Sequence, residues 1–492
     1  MSRTKIICTI GPAVSSYEAI TALIDAGMNV ARLNLSHGTH EDHAKVITHL
    51  KNARQEKGVP LAIMLDTKGP EIRLGDLVET PIKIGDRWRL VSVREDDHTI
   101  ALNPPHLLQH LIKGQEVLID DGYLSATVEA SSEEGVEIRF NNGGILKGRK
   151  SVCLPGVAVD LPALTEKDIV DIRFACQQDL DLIAASFIRR AEDIIAIKKI
   201  LEEEHQPNIL VIAKIENSEG VDNFDSILQV TDGVMIARGD LGVQMPLGEV
   251  PALQKMMIRK CYLAGKPVVT ATQMLESMIR SPRPTRAETS DVANAIYDSS
   301  SAVMLSGETA VGDYPIQTVQ VMKTIIRAAE ADFDYEQFFY EHADLNYHDV
   351  PSSVSLAGVK TAYSSQARAL FVFTTRGSSA RLASRLRPSM PIIALTDREK
   401  TFHQLALIWG VYPILGESYN ELRDAFEKMS AFAIEKKIVS YGDLVIVTAG
   451  SPFGISGTTN MMLVENIGEV LVRGEPGYGN KTYGKVVHIL SP

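Results

Sequence analysis

Eight short, β-rich apolar runs recur along the first two-thirds of the chain, and helical patterns follow them. They are "TKIICTIG" (4–11), "NVARLNLS" (29–36), "LAIMLDTK" (61–68), "LDLIAASF" (180–187), "ILVIAKIE" (209–216), "GVMIARGD" (233–240), "KPVVTATQ" (266–273) and "SAVMLSGE" (301–308). In "SYEAITALIDAG" (16–27), Ala19, Leu23 and Ala26 share a face and Gly27 supplies a stop. "AEDIIAIKKILEEE" (191–204) is a second helical segment. Eight βα units joined by right-handed crossovers predict an α/β fold, a (β/α)8 barrel.

The third and fourth runs lie too far apart for one helix. Between them, "PIKIGDRWRLVSV", "GQEVLIDDGYLSATVEA" and "EGVEIRFNNGG" alternate in short segments broken by Gly, Asp and Asn turns. That pattern predicts a small β-barrel domain inserted in a barrel loop. After about residue 345 a strand–loop–helix pattern restarts with "ALFVFTTRGSSARLASRL" (369–386), and "MPIIALTD", "GVYPILG" and "GDLVIVTAG" add further strands. The expected layout is barrel over 1–69 and 164–345, an inserted β lid over 70–163, and a C-terminal α/β domain with a mainly parallel sheet over 346–492. At 492 residues, about three domains of roughly 150 residues each are expected.

Charge and cysteine usage narrow the partners. Fifty basic residues stand against 62 acidic ones, net −12, which argues against general binding to nucleic acid or an anionic membrane and leaves room for a local basic pocket. Cys8, Cys153, Cys176 and Cys261 form no C-x-x-C pair and no zinc spacing, so free thiols in a reducing cytosol are expected. The start "MSRTKIICTIGP" lacks the long apolar core of a signal peptide, and no apolar run approaches the ~20 residues of a membrane helix. A cytoplasmic location follows as an expectation.

In such barrels the reacting groups lie at the C-terminal ends of the strands. Those ends carry Arg32, Asn34 and Ser36; Asp66 and Thr67, with Glu71 and Arg73 just beyond; Lys214 and Glu216; Arg238, Gly239 and Asp240; and Thr270 and Thr272. Lys214 and Glu216 are two apart and share a face, so a cation and an anion point the same way at the end of an apolar run. Glu216 and Asp240 are hard oxygen donors on neighbouring strands, as Mg²⁺ prefers. Lys214 and Arg32 suit a phosphoryl group. Asn34, Ser36, Asp66 and Thr67 offer oxygens for a second, weakly charged cation. Two metals and two basic groups at one mouth point to phosphoryl transfer, where charge neutralisation and positioning do most of the work. Simpler readings stand beside this one: Lys214 and Glu216 as a structural ion pair, Asp240 as a helix cap, and Arg238-Gly239-Asp240 as an adhesion tripeptide, which would need an exposed loop on a secreted protein.

The segments "TKIICTIGPA", "GMNVARLNLSHG", "MLDTKGPEIR", "IAKIENSEG", "ARGDLGV", "TATQMLESMIRSPRPTRAETSDVANA" and "MLSGETAVGDYP" resemble the signature segments of the pyruvate kinase family, in the right order through about the first 320 residues. The resemblance implies phosphoryl transfer from phosphoenolpyruvate to ADP, with Mg²⁺ (or Mn²⁺) and K⁺, in a homotetramer. It implies Lys214 beside the phosphoryl group in flight, Arg32 on the phosphate, and Glu216 and Asp240 on Mg²⁺. It implies Gly239 and Asp240 N–H groups on the substrate carboxylate, and Thr272 near the methylene carbon. Asn34, Ser36, Asp66 and Thr67 would bind K⁺, and Asn34, His37, Arg73 and Arg190 would face the nucleotide. Many relatives carry Lys where this chain has Arg190. Thr374, Thr375, Arg376, Gly377, Ser378 and Ser379 join a strand to a helix. Their hydroxyls and N–H groups suit a phosphate, and in the family these positions form a site for a sugar-phosphate or nucleotide effector. "GSPFGISGTTN" (450–460) could close over it; an ordinary polar βα turn is the simpler reading. A Mg²⁺-dependent aldolase or lyase of the phosphoenolpyruvate barrel group, and a non-enzymatic metabolite sensor, are the competing functions.

Overall fold

The computed structural model describes residues 2–468 apart from 158–160, 343–346, 418, 420 and 452–457. Eight strands form a closed barrel: β1 (Lys5–Thr9), β2 (Val30–Asn34), β3 (Ala62–Asp66), β4 (Leu182–Ala185), β5 (Leu210–Ile215), β6 (Gly233–Ala237), β7 (Val268–Ala271) and β8 (Ala302–Leu305). Each pairs in parallel with the next, and β8 closes on β1. All eight apolar runs are barrel strands. Their residues are buried, apart from half-buried Asn34 and Leu210, because a barrel wall is covered on both faces. The two-residue period divides them. Ile7, Val30, Met64, Ile212, Met235 and Val269 fill the interior, while Ile6, Leu33, Leu65, Ile183 and Ile236 meet the outer helices. Helix α1 (Tyr17–Ala26) starts where the Ser16 hydroxyl accepts the Ala19 N–H, and it ends at Gly27, whose φ of 134° disfavours a side chain.

Between β3 and β4 the chain builds a second, nearly closed sheet. Seven strands from Arg73–Leu74 to Val152–Cys153 wrap around Trp88, Leu90, Val117 and Phe140, and a two-stranded pair of Thr80–Ile82 with Gly144–Leu146 lies beside them. The strand Thr99–Asn103 escaped the sequence reading. In the C-terminal part, β9 (Ala369–Phe373), β10 (Ile392–Thr396), β11 (Val411–Leu415) and β12 (Leu444–Gly450) form a parallel sheet in the order β11-β10-β9-β12. An unforeseen antiparallel edge, β13 (Thr459–Asn466), pairs with β12. The four cysteines are buried and free. Among the described residues no helix is long and apolar enough to cross a membrane.

The C-terminal part plugs the bottom of the barrel. Ala406 and Leu407 pack into the interior layer with Ile7, Met64 and Met304. Gln404 Nε2 donates to the carbonyls of Asp181 and Asn208 at 3.0 and 2.7 Å, and Lys5 Nζ to that of Val411 at 2.7 Å. Buried His403 accepts the Leu61 N–H at Nδ1, 3.3 Å away, which requires a neutral ring. Burial, then the positive Arg54 and Lys51, push its pKa down to about 3. The folded value lies below the unfolded value of ~6.5, so the unfolded chain binds the extra proton and stability falls as pH drops below ~6.5. Between pH 7 and 5 this group is expected to cost on the order of 2 kcal/mol. Urea unfolding at both pH values should show a smaller acid loss for His403→Asn than for the parent; an equal loss would remove His403 as its source.

Candidate active site

The mouth of the barrel is a buried network of charge. Lys214, on β5, is buried, and its Nζ lies 3.1 Å from Asp66 Oδ1, 3.0 Å from Glu216 Oε1 and 2.6 Å from Ser186 Oγ. Arg32, on β2, puts Nε 2.6 Å from Asp66 Oδ2 and NH1 3.0 Å from Thr9 Oγ1. Burial alone would raise the Asp66 carboxyl; the charges of Arg32 and Lys214 outweigh it and hold the group below the usual range. Burial works to lower Lys214, and Asp66 and Glu216 reverse the sign, so it stays a cation. The structural ion pair is therefore real, and it is also a network whose ammonium is fixed at the point where several strand ends converge.

Asp240 is the exception. It opens the short helix α2 (Arg238–Gln244), yet that helix has no side-chain cap, so the capping role is not what Asp240 does. Among the described residues it makes no hydrogen bond or ion pair. Burial, then the charge of Glu216, raise its carboxyl to about 7. Glu216 by contrast accepts the Phe187 N–H at 2.6 Å. Two carboxylates in mutual repulsion fit a divalent cation. No cluster of three or more His, Cys, Asp or Glu side chains among the described residues is placed to hold a metal. Such an ion would need substrate or water oxygens to complete its shell, as Mg²⁺ accepts.

Thr272 follows β7 with φ of 65°, a left-handed conformation unusual for a β-branched residue. The Arg238 guanidinium holds it there, donating to the Thr272 carbonyl at 2.8 Å while paired with Asp291 at 2.7 Å. The Thr272 hydroxyl accepts the Gly239 N–H at 2.8 Å, so that N–H is engaged within the protein rather than free for a carboxylate. Arg238 is thus committed inside the barrel top, which leaves the adhesion reading without its exposed loop.

Asn34, Ser36, His37, Arg73 and Asp240 line a cleft of about 630 Å³ between the mouth and the inserted sheet, together with Asp120, Asp121 and Lys150 of that inserted part. Arg73 is bound to Glu71, NH2 to Oε2 at 2.7 Å, and Lys68 approaches the same carboxylate at 3.8 Å. Arg190 is half-exposed and pairs with cleft residue Glu219 at 2.9 Å. The set Asn34, Ser36, Asp66 and Thr67 is compact but already bonded: Asn34 Oδ1 accepts the Ser36 N–H, and the Thr67 carbonyl accepts the Ser186 hydroxyl. Asp66 is no uncompensated charge, because Arg32 and Lys214 match it.

The reading missed Ser186 and Thr9. Each ends a strand whose terminus was left unread, β4 and β1, and the rule applied to the other ends would have found both. In the C-terminal part the loop Thr374–Ser379 does join β9 to a short helix (Ser378–Ser384). Ser379 is buried and shares a 2.5 Å hydrogen bond with Thr459, while Ser378 is half-buried. Of the segment 450–460, residues 452–457 lie outside the described residues.

A parallel barrel whose mouth fixes two cations among three carboxylates, with a cleft between it and an inserted sheet, fits a barrel-type phosphotransferase. The sequence comparisons agree and go further. The description "Pyruvate kinase, barrel domain" matches residues 1–319 and "Pyruvate kinase, alpha/beta domain" matches residues 352–465. A pyruvate kinase of Chlamydia muridarum is 48% identical over 472 residues, 94% of this chain and 97% of its own. One of Clostridium acetobutylicum is 44% identical over 470 residues, 94% and 99%, and one of Geobacillus stearothermophilus 44% over 492 residues, 99% and 84%. The chain belongs to the pyruvate kinase family, and its activity is that of a pyruvate kinase, with phosphoenolpyruvate and ADP as substrates. The aldolase and sensor alternatives fall with that result.

Proposed function

We propose that Lys214 is the main electrostatic catalyst of the phosphoryl transfer. The observation that carries this is its enclosed ammonium, fixed by Asp66, Glu216 and Ser186 at the mouth. A cation held there needs no reorganisation when charge develops on the transferring group. Arg32 binds the phosphate from the β2 side. Glu216 and Asp240 hold Mg²⁺ or Mn²⁺, which supplies charge neutralisation at the phosphate and carboxylate oxygens. Thr272, locked by Arg238, sits beside Gly239 and Asp240 and guides the proton that turns enolate into ketone. His37, Arg73, Arg190 and Asn34 serve the nucleotide in the cleft. The test is pyruvate release coupled to a dehydrogenase, with each metal and each candidate sugar phosphate omitted in turn.

Asp240→Asn is expected to raise the Mg²⁺ needed for half-maximal rate about tenfold or more, since a charged oxygen ligand is lost. An unchanged Mg²⁺ dependence would remove Asp240 from the metal.

For K⁺ we place the ion among Asn34, Ser36, Asp66 and Thr67, whose donors are all hard oxygens. Glu71, like Asp66, is matched by cations, Arg73 and Lys68, and it is the position at which a tethered ammonium could stand in for the ion. Glu71→Lys frees Arg73 and adds an ammonium beside Lys68 and Arg73. The K⁺ requirement is expected to relax, measured as initial rate in K⁺ against tetramethylammonium at matched ionic strength. A parent enzyme equally fast in both salts would sink the ion; an equally dependent variant would remove Glu71.

Regulation by a phosphorylated metabolite at residues 374–379, in a homotetramer, completes the proposal. Because Ser379 is buried against Thr459, a charge there would disturb the fold, and Ser378 is the position at which to block the loop.

A further inference from the structure

Thr9 ends β1 at the rim of the barrel, beside one of the two buried cations of the mouth. It is buried and is the register partner of Arg32 across the β1–β2 ladder, so the two side chains leave neighbouring strands on one face. The Thr9 hydroxyl donates its one proton to the Leu305 carbonyl of β8 at 2.9 Å. Only its lone pairs remain for Arg32, whose NH1 donates to them at 3.0 Å. One hydroxyl therefore ties together the ends of β8, β1 and β2. Buried Thr309 donates in turn from Oγ1 to the Thr9 carbonyl at 2.9 Å. The foot of β1 is pinned as well: Glu330 accepts the Thr4 N–H at 2.6 Å, and Lys5 Nζ donates to the Val411 carbonyl.

A guanidinium held at one point still turns about that bond. Asp66 holds Arg32 through Nε at 2.6 Å, and the Nε and NH1 groups lie on different edges of the planar fork. Two acceptors on two edges fix the plane, where one would let it swing. Among the described residues Arg32 NH2 makes no hydrogen bond. The donors left over are thus set in one orientation, as bidentate recognition of a phosphoryl group requires. The two partners divide the work by charge. Asp66 supplies the counter-charge, and neutral Thr9 orients the cation without neutralising it further. A β-branched residue suits that task, because its χ1 is restricted and the hydroxyl keeps its place.

We propose that Thr9 is the positioning residue of Arg32 and that, through it, Thr9 sets the affinity for phosphoenolpyruvate. The inference rests on the reading of Arg32 as the group that binds the phosphate. Its effect is selective, because the nucleotide is served by His37, Arg73 and Arg190 on that same reading. A residue that only tied β8 to β1 would affect stability and favour neither substrate.

The experiment is calorimetric titration of the full chain with phosphoenolpyruvate, with Mg²⁺ and K⁺ present and no nucleotide, beside steady-state KM values for both substrates. Thr9→Val keeps the shape and loses the hydroxyl; phosphoenolpyruvate is expected to bind about tenfold more weakly, with the KM for ADP unchanged. Thr9→Ser keeps the hydroxyl and is expected to stay within about twofold of the parent. Arg32→Lys keeps the charge and loses the fork, and in that background Thr9→Val is expected to weaken binding no further. An unimpaired Thr9→Val beside an impaired Arg32→Lys overturns the inference alone. So does a loss that Thr9→Ser shares, or one that adds in full to the loss from Arg32→Lys. An Arg32→Lys that binds as tightly as the parent overturns the reading of Arg32 as the forked phosphate ligand, and the inference with it. Should Thr9→Val not fold, Thr9→Ala carries the same comparison with no added bulk.

Discussion

Lys214→Met is expected to lower kcat by on the order of 10³-fold or more while phosphoenolpyruvate binding changes little. The ammonium is worth most when charge develops on the phosphoryl group in flight, and uniform binding of ground and transition states would show as a KM effect instead. The network sharpens the test. With Lys214 gone, Arg32 still holds Asp66 at 2.6 Å, so the mouth keeps one of its three buried pairs. Steady-state kinetics with a direct measurement of phosphoenolpyruvate affinity separates the outcomes. Near-normal turnover would reduce Lys214 to a structural ion pair.

Asp66→Asn is expected to do its damage to the fold. Asp66 is 1% exposed and accepts from Arg32 Nε and Lys214 Nζ at opposite oxygens. Removing the anion leaves two enclosed cations with Glu216 as their one remaining counter-charge in the network. Breaking a buried pair by deleting one partner costs about 3–5 kcal/mol, because an uncompensated charge stays behind. Urea unfolding at pH 7 should show a loss of that order, with the denaturant slope unchanged. A loss below about 1 kcal/mol would mean that water reaches the mouth and screens it, as at exposed pairs.

The barrel was legible because its physics is repetitive. A strand buried on both faces must be apolar throughout, and eight such runs at βα spacing leave few other folds. Lys214 and Glu216 were legible as neighbours because strand alternation fixes the side they share. What escaped depends on distant partners. Nothing near Ser379 in the chain announces that Thr459 will bury its hydroxyl. Nothing near Asp66 says that Arg32 and Lys214 will neutralise it. Thr9 and Ser186 were legible in principle, and they emerge once every strand end is read. β13 went unseen because an antiparallel edge added to a parallel sheet has no repeat to declare it.

The plug at the foot of the barrel has a consequence for the order of synthesis. A ribosome that has made residues 1–345 has delivered all eight barrel strands, but not Ala406 and Leu407, which complete the innermost layer beside Ile7 and Met304. Domains ordinarily fold as units while the chain emerges, N-terminal first. Here the floor of the first unit is written some hundred residues downstream of its last wall, so the nascent barrel must wait, open at one end, for a segment that belongs to its neighbour. A chain cut in the stretch that joins the two parts is expected to leave the barrel without Ala406 and Leu407 at its floor.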